Sequence, residues 1–113
     1  MFLINREAVI IKGKQPLVDW VNSHDPENPL TLSDVREECT VILLPECRDK
    51  EEAVTIIESN FEVLFSGEME GWIADESLWP KDVTLATFRE WFDVEYHSMV
   101  FDALEDDIEK REE

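Results

Sequence analysis

The sequence predicts an α/β or α+β fold, in which a single three- to four-stranded sheet has helices packed on it. Short apolar runs that favour strands alternate with segments whose apolar residues recur every three or four positions, as in helices. In addition, 113 residues with 43% hydrophobic content suffice for one core, because a chain of 13.2 kDa can bury about two-thirds of its surface. We expect one compact domain over residues 1–104 and an acidic tail over residues 105–113.

The N-terminal third of the chain contains two apolar runs followed by a helical pattern. Phe2–Ile4 and Ala8–Ile11 are either one bent strand or a small hairpin, and the second run is typical of a strand covered on both faces. Gly13 ends it. Pro16 suits the first turn of a helix that continues to His24, and a turn with two prolines follows.

The middle of the chain predicts a short helix, a strand and a long helix. Thr31 and Asp34 have the spacing of a capping box, which starts a helix over residues 32–38. Thr40–Leu44 is the most continuous apolar run and predicts the central strand. A helix over residues 50–66, ended by Gly67, is the longest predicted element and should cover one face of the sheet.

The last part of the predicted domain is a helix that runs directly into a strand. Thr84 is a candidate N-cap for a helix over residues 85–93, and the period changes to two from Val94. We expect this strand to enter at the surface and finish in the core near Phe101. The strand order stays open, because the connections are long enough for parallel crossovers and the last strand could also enter antiparallel. If these strands are buried as expected, Phe101→Ala and Ile42→Ala should each cost about 2–5 kcal/mol.

The charge is the strongest compositional feature. Ten basic residues against 28 acidic residues give a net charge of −18. This field repels phosphates and anionic membrane surfaces, so direct binding of nucleic acid or membrane is disfavoured. It favours a partner with a basic surface, and the alternative is an acidic surface that only keeps the protein well solvated. The chain shows no signal-peptide pattern and no membrane-spanning run. Cys39 and Cys47 flank a predicted strand, too far apart for a disulfide, so we expect free thiols and a cytoplasmic location.

One candidate metal site is visible. Asp93, Glu95 and His97 alternate along the predicted last strand and would share one face of it. Carboxylate and imidazole groups suit several divalent metals, so this trio predicts a metal site. The alternative is a polar strand end facing water in a highly acidic chain, which the lack of a second cluster of ligands favours.

The segment from Glu68 to Pro80 fits neither period and mixes tryptophans with acids. It is either a surface for a basic partner or a loop whose tryptophans plug the core. The candidate partner-binding residues are Glu68, Glu70, Trp72, Asp75, Glu76 and Trp79. We expect no cofactor, because the chain lacks a glycine-rich phosphate loop, and it also lacks CxxC, HExxH and GxSxG motifs.

Three stretches, MFLINREAVIIK at the start, DESLWPKD at 75–82 and EWFDVEYHSMVFD at 90–102, resemble small acidic bacterial proteins of uncharacterised function. The resemblance implies a bacterial, cytoplasmic α/β domain and carries no activity. The sequence thus favours a non-catalytic protein–protein interaction or regulatory module that acts through an acidic surface. The alternatives are a DNA mimic that occupies a nucleic-acid-binding protein, and a small metal-binding protein or enzyme built on Asp93, Glu95 and His97.

Overall fold

The computed structural model describes residues 1–113 and shows an α+β fold of five helices and two small sheets. The strands are β1 (Phe2–Leu3), β2 (Glu7–Gly13), β3 (Thr40–Leu44), β4 (Phe92–His97) and β5 (Phe101–Asp102). The helices are α1 (Gln15–His24), α2 (Leu32–Glu37), α3 (Lys50–Glu58), α4 (Phe61–Trp72) and α5 (Leu85–Trp91), with a short 3-10 turn at Glu76–Leu78. The predicted fold class is confirmed.

The main sheet has three antiparallel strands in the order β3-β2-β4. Val9 at its centre lies opposite Ile42 on one side and Tyr96 on the other. The remaining two strands, β1 and β5, pair antiparallel to form a separate ribbon, which a backbone bond of 3.0 Å from Ile4 N–H to Val100 O extends. The two N-terminal apolar runs are therefore neither one bent strand nor a hairpin, because they belong to different sheets.

The central strand is β2, and the prediction that Thr40–Leu44 would be central is wrong. β3 lies at an edge of the sheet, with Val41 58% and Leu43 45% exposed. A continuous apolar run indicates a strand, but it does not identify the strands that flank it in space. In β2 the run is buried along its whole inner face, where Val9 and Ile11 are almost fully covered.

The core lies between one face of the sheet and the helices. Its buried side chains from the helices include Leu17, Val18, Val35, Ala53, Ile57, Phe65, Met69 and Phe88. Gly13 is required at the end of β2, because a methyl group there would lie 2.5 Å from Leu17 Cδ2 and 2.7 Å from Val35 Cγ1. Both α1 and α2 thus approach the sheet closely at this position.

The helix starts follow the predicted signals. The Thr31–Asp34 capping box is present, and Thr84 caps α5 by accepting a bond from Thr87 N–H. The Asp49 side chain likewise accepts from Glu52 N–H at the start of α3. These motifs act within four residues, and therefore sequence alone is enough to place them.

The predicted helix over residues 50–66 is wrong in its extent, because two helices occupy this region. α3 ends at Glu58 and α4 begins at Phe61. At the break, Ser59 Oγ donates to Thr55 O at 2.7 Å and Asn60 Nδ2 donates to Ile56 O at 2.8 Å. Side chains that bond the backbone in this way compete with continued helix. Gly67, predicted to end the helix, lies inside α4.

The predicted direction of the last strand is also wrong. β4 begins in the core at Phe92, which is 3% exposed, and ends at the surface with His97. Phe92 is held by Phe88 of α5, with ring centroids 5.6 Å apart. Phe101 lies in the ribbon and is 48% exposed, so it is not a core residue. The direct passage from helix to strand is confirmed, and β4 begins two residues before the predicted change of period at Val94.

Candidate functional site

The outer face of the three-stranded sheet, opposite the helices, carries most residues of interest. Leu43, Ala8 and His97 form one row across it, and Val41, Ile10 and Glu95 form the next. The face is therefore apolar and exposed along β3, and it becomes charged along β4. The two edges of one sheet present different chemistry to solvent.

On β4, the structure places the three predicted metal ligands on this outer face. Asp93 Oδ2 accepts a bond of 2.9 Å from Arg36 Nη1, which also donates to Gly13 O. Glu95 is 3.4 Å from Lys12 Nζ and 2.9 Å from His97 Nε2. The hydrogen bond with His97 is the main cause that lowers the pKa of Glu95.

Two of the three predicted ligands come together and the third does not. Glu95 contacts His97, whereas the carboxylate of Asp93 is committed to Arg36. No three His, Cys, Asp or Glu side chains of the chain are arranged to hold a metal ion. The metal site stays a prediction that rests on the Glu95–His97 pair alone. A simpler reason for these charges is that charged side chains on an edge strand discourage pairing with other chains.

The tryptophans of the 68–80 segment pack inward. Trp72 and Trp79 are half-buried against the core, and Trp79 Nε1 donates to Ile73 O at 2.6 Å. Trp20 of α1 reaches across to donate to Leu78 O at 3.3 Å. This arrangement matches the core-plug alternative for the tryptophans, and the assignment of this segment to partner binding stays a prediction.

The acids of the same segment have separate local environments. Asp75 accepts bonds from the hydroxyl and from the backbone N–H of Ser77, and both bonds lower the pKa of Asp75. Burial raises the pKa of Glu68, and the side chain of Thr40 at the start of β3 partly offsets this rise. Glu70 and Glu76 are exposed. The acids of this segment therefore do not form a single cluster. Glu68 lies beside Thr40, at the start of the edge strand β3.

Glu7 is the only charged residue that is buried. Its Oε1 accepts from Tyr96 OH at 2.5 Å and from Cys47 N–H at 3.0 Å, and its Oε2 lies 3.1 Å from Tyr96 OH. The bond to Glu7, followed by burial, raises the pKa of Tyr96 to about 12. Burial and the same carboxylate raise the pKa of the Cys47 thiol, which opposes activation as a nucleophile. The cluster therefore joins β2, β4 and the loop after β3.

The exposed apolar side chains concentrate around the ribbon, β3 and the tail. Nine of the twelve large exposed hydrophobic residues lie there, and we call them the apolar strip: Met1, Phe2, Leu3, Val41, Leu43, Met99, Phe101, Leu104 and Ile108. Sequence reasoning missed this strip because it assigned Val41, Leu43 and Phe101 to the core. The sequence contained one signal of the strip, which is that both ends of the domain are apolar. Hydrophobic periodicity alone does not show whether such residues are buried or exposed.

A groove of about 410 Å³ crosses the apolar strip. Its apolar lining comes from Phe2, Ile4, Leu43, Leu104 and Ile108. Its acidic lining comes from Asp102, Glu105, Asp106 and Asp107, against Arg6 and Lys110 as the basic residues. The expected acidic tail thus lines a groove with the ribbon and β3. Apolar side chains flanked by carboxylates suit a ligand that is itself apolar and basic.

No family model, no curated protein and no solved structure matches the chain. None of the helices combines the length and the apolar character that crossing a membrane requires.

Proposed function

We propose that the protein is a non-catalytic interaction module that binds a partner protein with a basic surface. The groove on the apolar strip is the observation that carries this proposal, because it places exposed apolar side chains beside three consecutive acids, Glu105–Asp107. Contiguous exposed apolar surface with a polar rim is typical of interaction sites. The two free thiols fit a reducing compartment, and we place the module in the cytoplasm on that basis.

The charge distribution supports a basic partner. Only five of the 28 acidic side chains form ion pairs: Glu52, Glu58, Asp93, Glu95 and Glu109. The other carboxylates have no basic side chain of this protein within ion-pair distance. Apart from the buried Glu7, they remain available to attract and orient a positively charged surface, an effect that weakens as salt screens the field.

A pull-down with a matched pair of variants tests the proposal. The bait proteins are the wild type, Phe2→Ser, whose half-exposed ring lines the groove, and Val63→Ser on the exposed side of α4. Val63 is the control because it is 74% exposed and lies outside the strip. We expect the wild type and Val63→Ser to retain the same basic protein at low salt and release it at high salt. Phe2→Ser should lose it, because the groove loses an apolar wall.

Two results would contradict the proposal. Retention of no basic protein by the wild type would remove the partner class. Equal retention by Phe2→Ser would show that charge alone attracts basic proteins, without a role for the groove. Circular dichroism of each bait, recorded first, confirms that a lost interaction does not reflect a lost fold.

The DNA-mimic version of the proposal draws on the same unpaired carboxylates. It requires that the retained partner be a nucleic-acid-binding protein and that duplex DNA compete with this protein for it. We expect added duplex DNA to release the partner from the bait if mimicry is the mechanism. A partner that stays bound at any DNA concentration would exclude mimicry and leave the broader proposal intact.

A further inference from the structure

The free edge of β3 differs from the free edge of β4. β3 pairs with β2 on one side, and no residue from Thr40 to Leu44 makes a backbone hydrogen bond on the other side. An edge strand presents alternate N–H and C=O groups that can pair with another chain. β4 is also an edge, but it carries Asp93, Glu95 and His97, which discourage such pairing.

β3 itself carries none of the residues that usually protect an edge strand. Its sequence, TVILL, contains no charge, no proline and no glycine, and Pro45 follows only after the strand has ended. Val41 and Leu43 project from its outer face and are about half exposed. Leu43 also lines the groove, so the free edge is continuous with the apolar strip.

Acids stand at both ends of this uncharged strand. Glu37 and Glu38 precede it and Glu46 follows it, and all three are exposed and outside any ion pair. The nearest arginines in the chain are occupied, since Arg36 bonds Asp93 and Arg48 bonds Glu52. The edge therefore offers apolar contact in its middle and negative charge at its ends.

We infer that the partner contributes an extended segment of alternating apolar and basic residues, which adds to the free edge of β3 as a fourth strand. This inference rests on the proposed function and names the partner's chemistry. Main-chain bonds to β3 would supply affinity, and apolar side chains beside Val41 and Leu43 would supply specificity. Basic side chains at the two ends would meet Glu37, Glu38 and Glu46.

Repulsion between like charges argues against a second copy of this chain as the strand that pairs with the free edge of β3. If two β3 strands paired antiparallel, Glu37 and Glu38 of one copy would face Glu46 of the other. If they paired parallel, each acidic end would face the same end of its partner. Both arrangements bring like charges together at the two ends of the pairing, which is destabilising, whereas a basic segment makes the same acids favourable.

The probe for this inference is a synthetic peptide of about nine alternating lysine and valine residues. It spans about 30 Å when extended, compared with about 17 Å for the five residues of β3, so its lysines reach the acids at both ends. Titration calorimetry gives the affinity, and amide hydrogen exchange by NMR reports on β3. We expect alternate amides within Thr40–Leu44 to become protected when the peptide binds.

Matched variants separate strand addition from simple charge attraction. Val41→Glu adds a negative charge but removes an apolar contact, so it should weaken binding about tenfold, which corresponds to about 1.4 kcal/mol. Val63→Glu adds the same charge on α4 and should leave the affinity unchanged or slightly higher. The peptide with every amide N-methylated keeps its charges but loses its donors, and should bind at least about tenfold more weakly.

Three results would overturn the inference. Unchanged or tighter binding by Val41→Glu, without new protection in β3, would show attraction by charge alone and would leave the proposed function standing. Absence of binding by the wild type would exclude this segment chemistry, while the pull-down decides the proposed function separately. Concentration-dependent protection of β3 without peptide would identify a second copy as the occupant.

Discussion

The bond between Glu7 and Tyr96 makes the clearest prediction for a single residue. Tyr96 is the only tyrosine in the chain, so the ultraviolet absorbance change of phenol ionisation reports on this side chain alone. The carboxylate of Glu7 accepts the phenolic hydrogen and raises the pKa of Tyr96 to about 12. We expect the folded protein to titrate near that value, compared with about 10 for a free tyrosine.

The sign of the effect on stability follows from the direction of the shift. The folded state keeps the phenolic proton between pH 10 and about 12, whereas the unfolded chain loses it from about pH 10. The contribution of Tyr96 is therefore complete below pH 10 and is lost as the pH rises towards 12. Denaturant midpoints measured across this range should fall, and Tyr96→Phe should flatten the dependence.

Glu7→Gln is the control for the titration. It keeps the shape of the side chain but removes the negative charge, so the midpoint of Tyr96 should return towards 10. Circular dichroism at each pH shows whether the protein is still folded. A wild-type midpoint near 10 in folded protein would contradict the hydrogen bond between Tyr96 and Glu7.

Residue-scale features differ in how far the sequence revealed them. The caps at Thr31, Asp49 and Thr84 were predicted correctly, because each depends on neighbours three residues away. The burial of Glu7 was not predicted, because it depends on Tyr96, which is 89 residues distant in the chain. No local pattern marks a buried carboxylate whose donors come from another strand and a loop.

At the scale of helices and strands, the main stability prediction concerns the junction of α5 and β4. Phe88 is 1% exposed and its ring lies 5.6 Å from that of Phe92 and 6.5 Å from that of Phe61. Phe88→Ala should cost about 3–5 kcal/mol, because it leaves a cavity where the helix, the strand and α4 meet. The midpoint of denaturant unfolding, at unchanged slope, measures this loss.

Phe101→Ala is the comparison variant at the ribbon. The sequence predicted a cost of about 2–5 kcal/mol there, but the half-exposed ring should cost less than about 1 kcal/mol. Ile42 is half-buried at the edge strand, and its truncation should fall near the lower end of the predicted range. Equal losses for Phe88→Ala and Phe101→Ala would place the ribbon in the core and contradict this fold.

The boundaries of helices and strands could be predicted where the hydrophobic periodicity changes. They could not be predicted where tertiary contacts determine the end of an element. The apolar positions Ala53, Ile57, Phe65 and Met69 are buried on both sides of the Ser59–Asn60 break. The helical spacing of apolar residues therefore gave no sign of the break. Strand order depends on pairing between distant segments, and TVILL therefore suggested burial without showing that β3 lies at an edge. The candidate interaction surface was missed for the same reason.

At the scale of the whole molecule, the net charge of −18 opposes the compact state. Folding brings acids together that are farther apart in the unfolded chain, and only five of them gain a basic partner within ion-pair distance. Three acids in sequence, Glu105–Asp107, lie along one groove. The remaining repulsion is long-range and is therefore sensitive to ionic strength.

Salt should accordingly stabilise this protein. Raising the ionic strength from about 10 mM to about 150 mM shortens the screening length from about 30 Å to about 8 Å, which weakens repulsion across the surface more than it weakens the short ion pairs. We expect the thermal midpoint to rise by a few degrees, with potassium chloride and sodium chloride equivalent. A midpoint that falls would mean that ion pairs outweigh repulsion. A rise with only one of the two salts would indicate specific cation binding by the carboxylates in place of general screening.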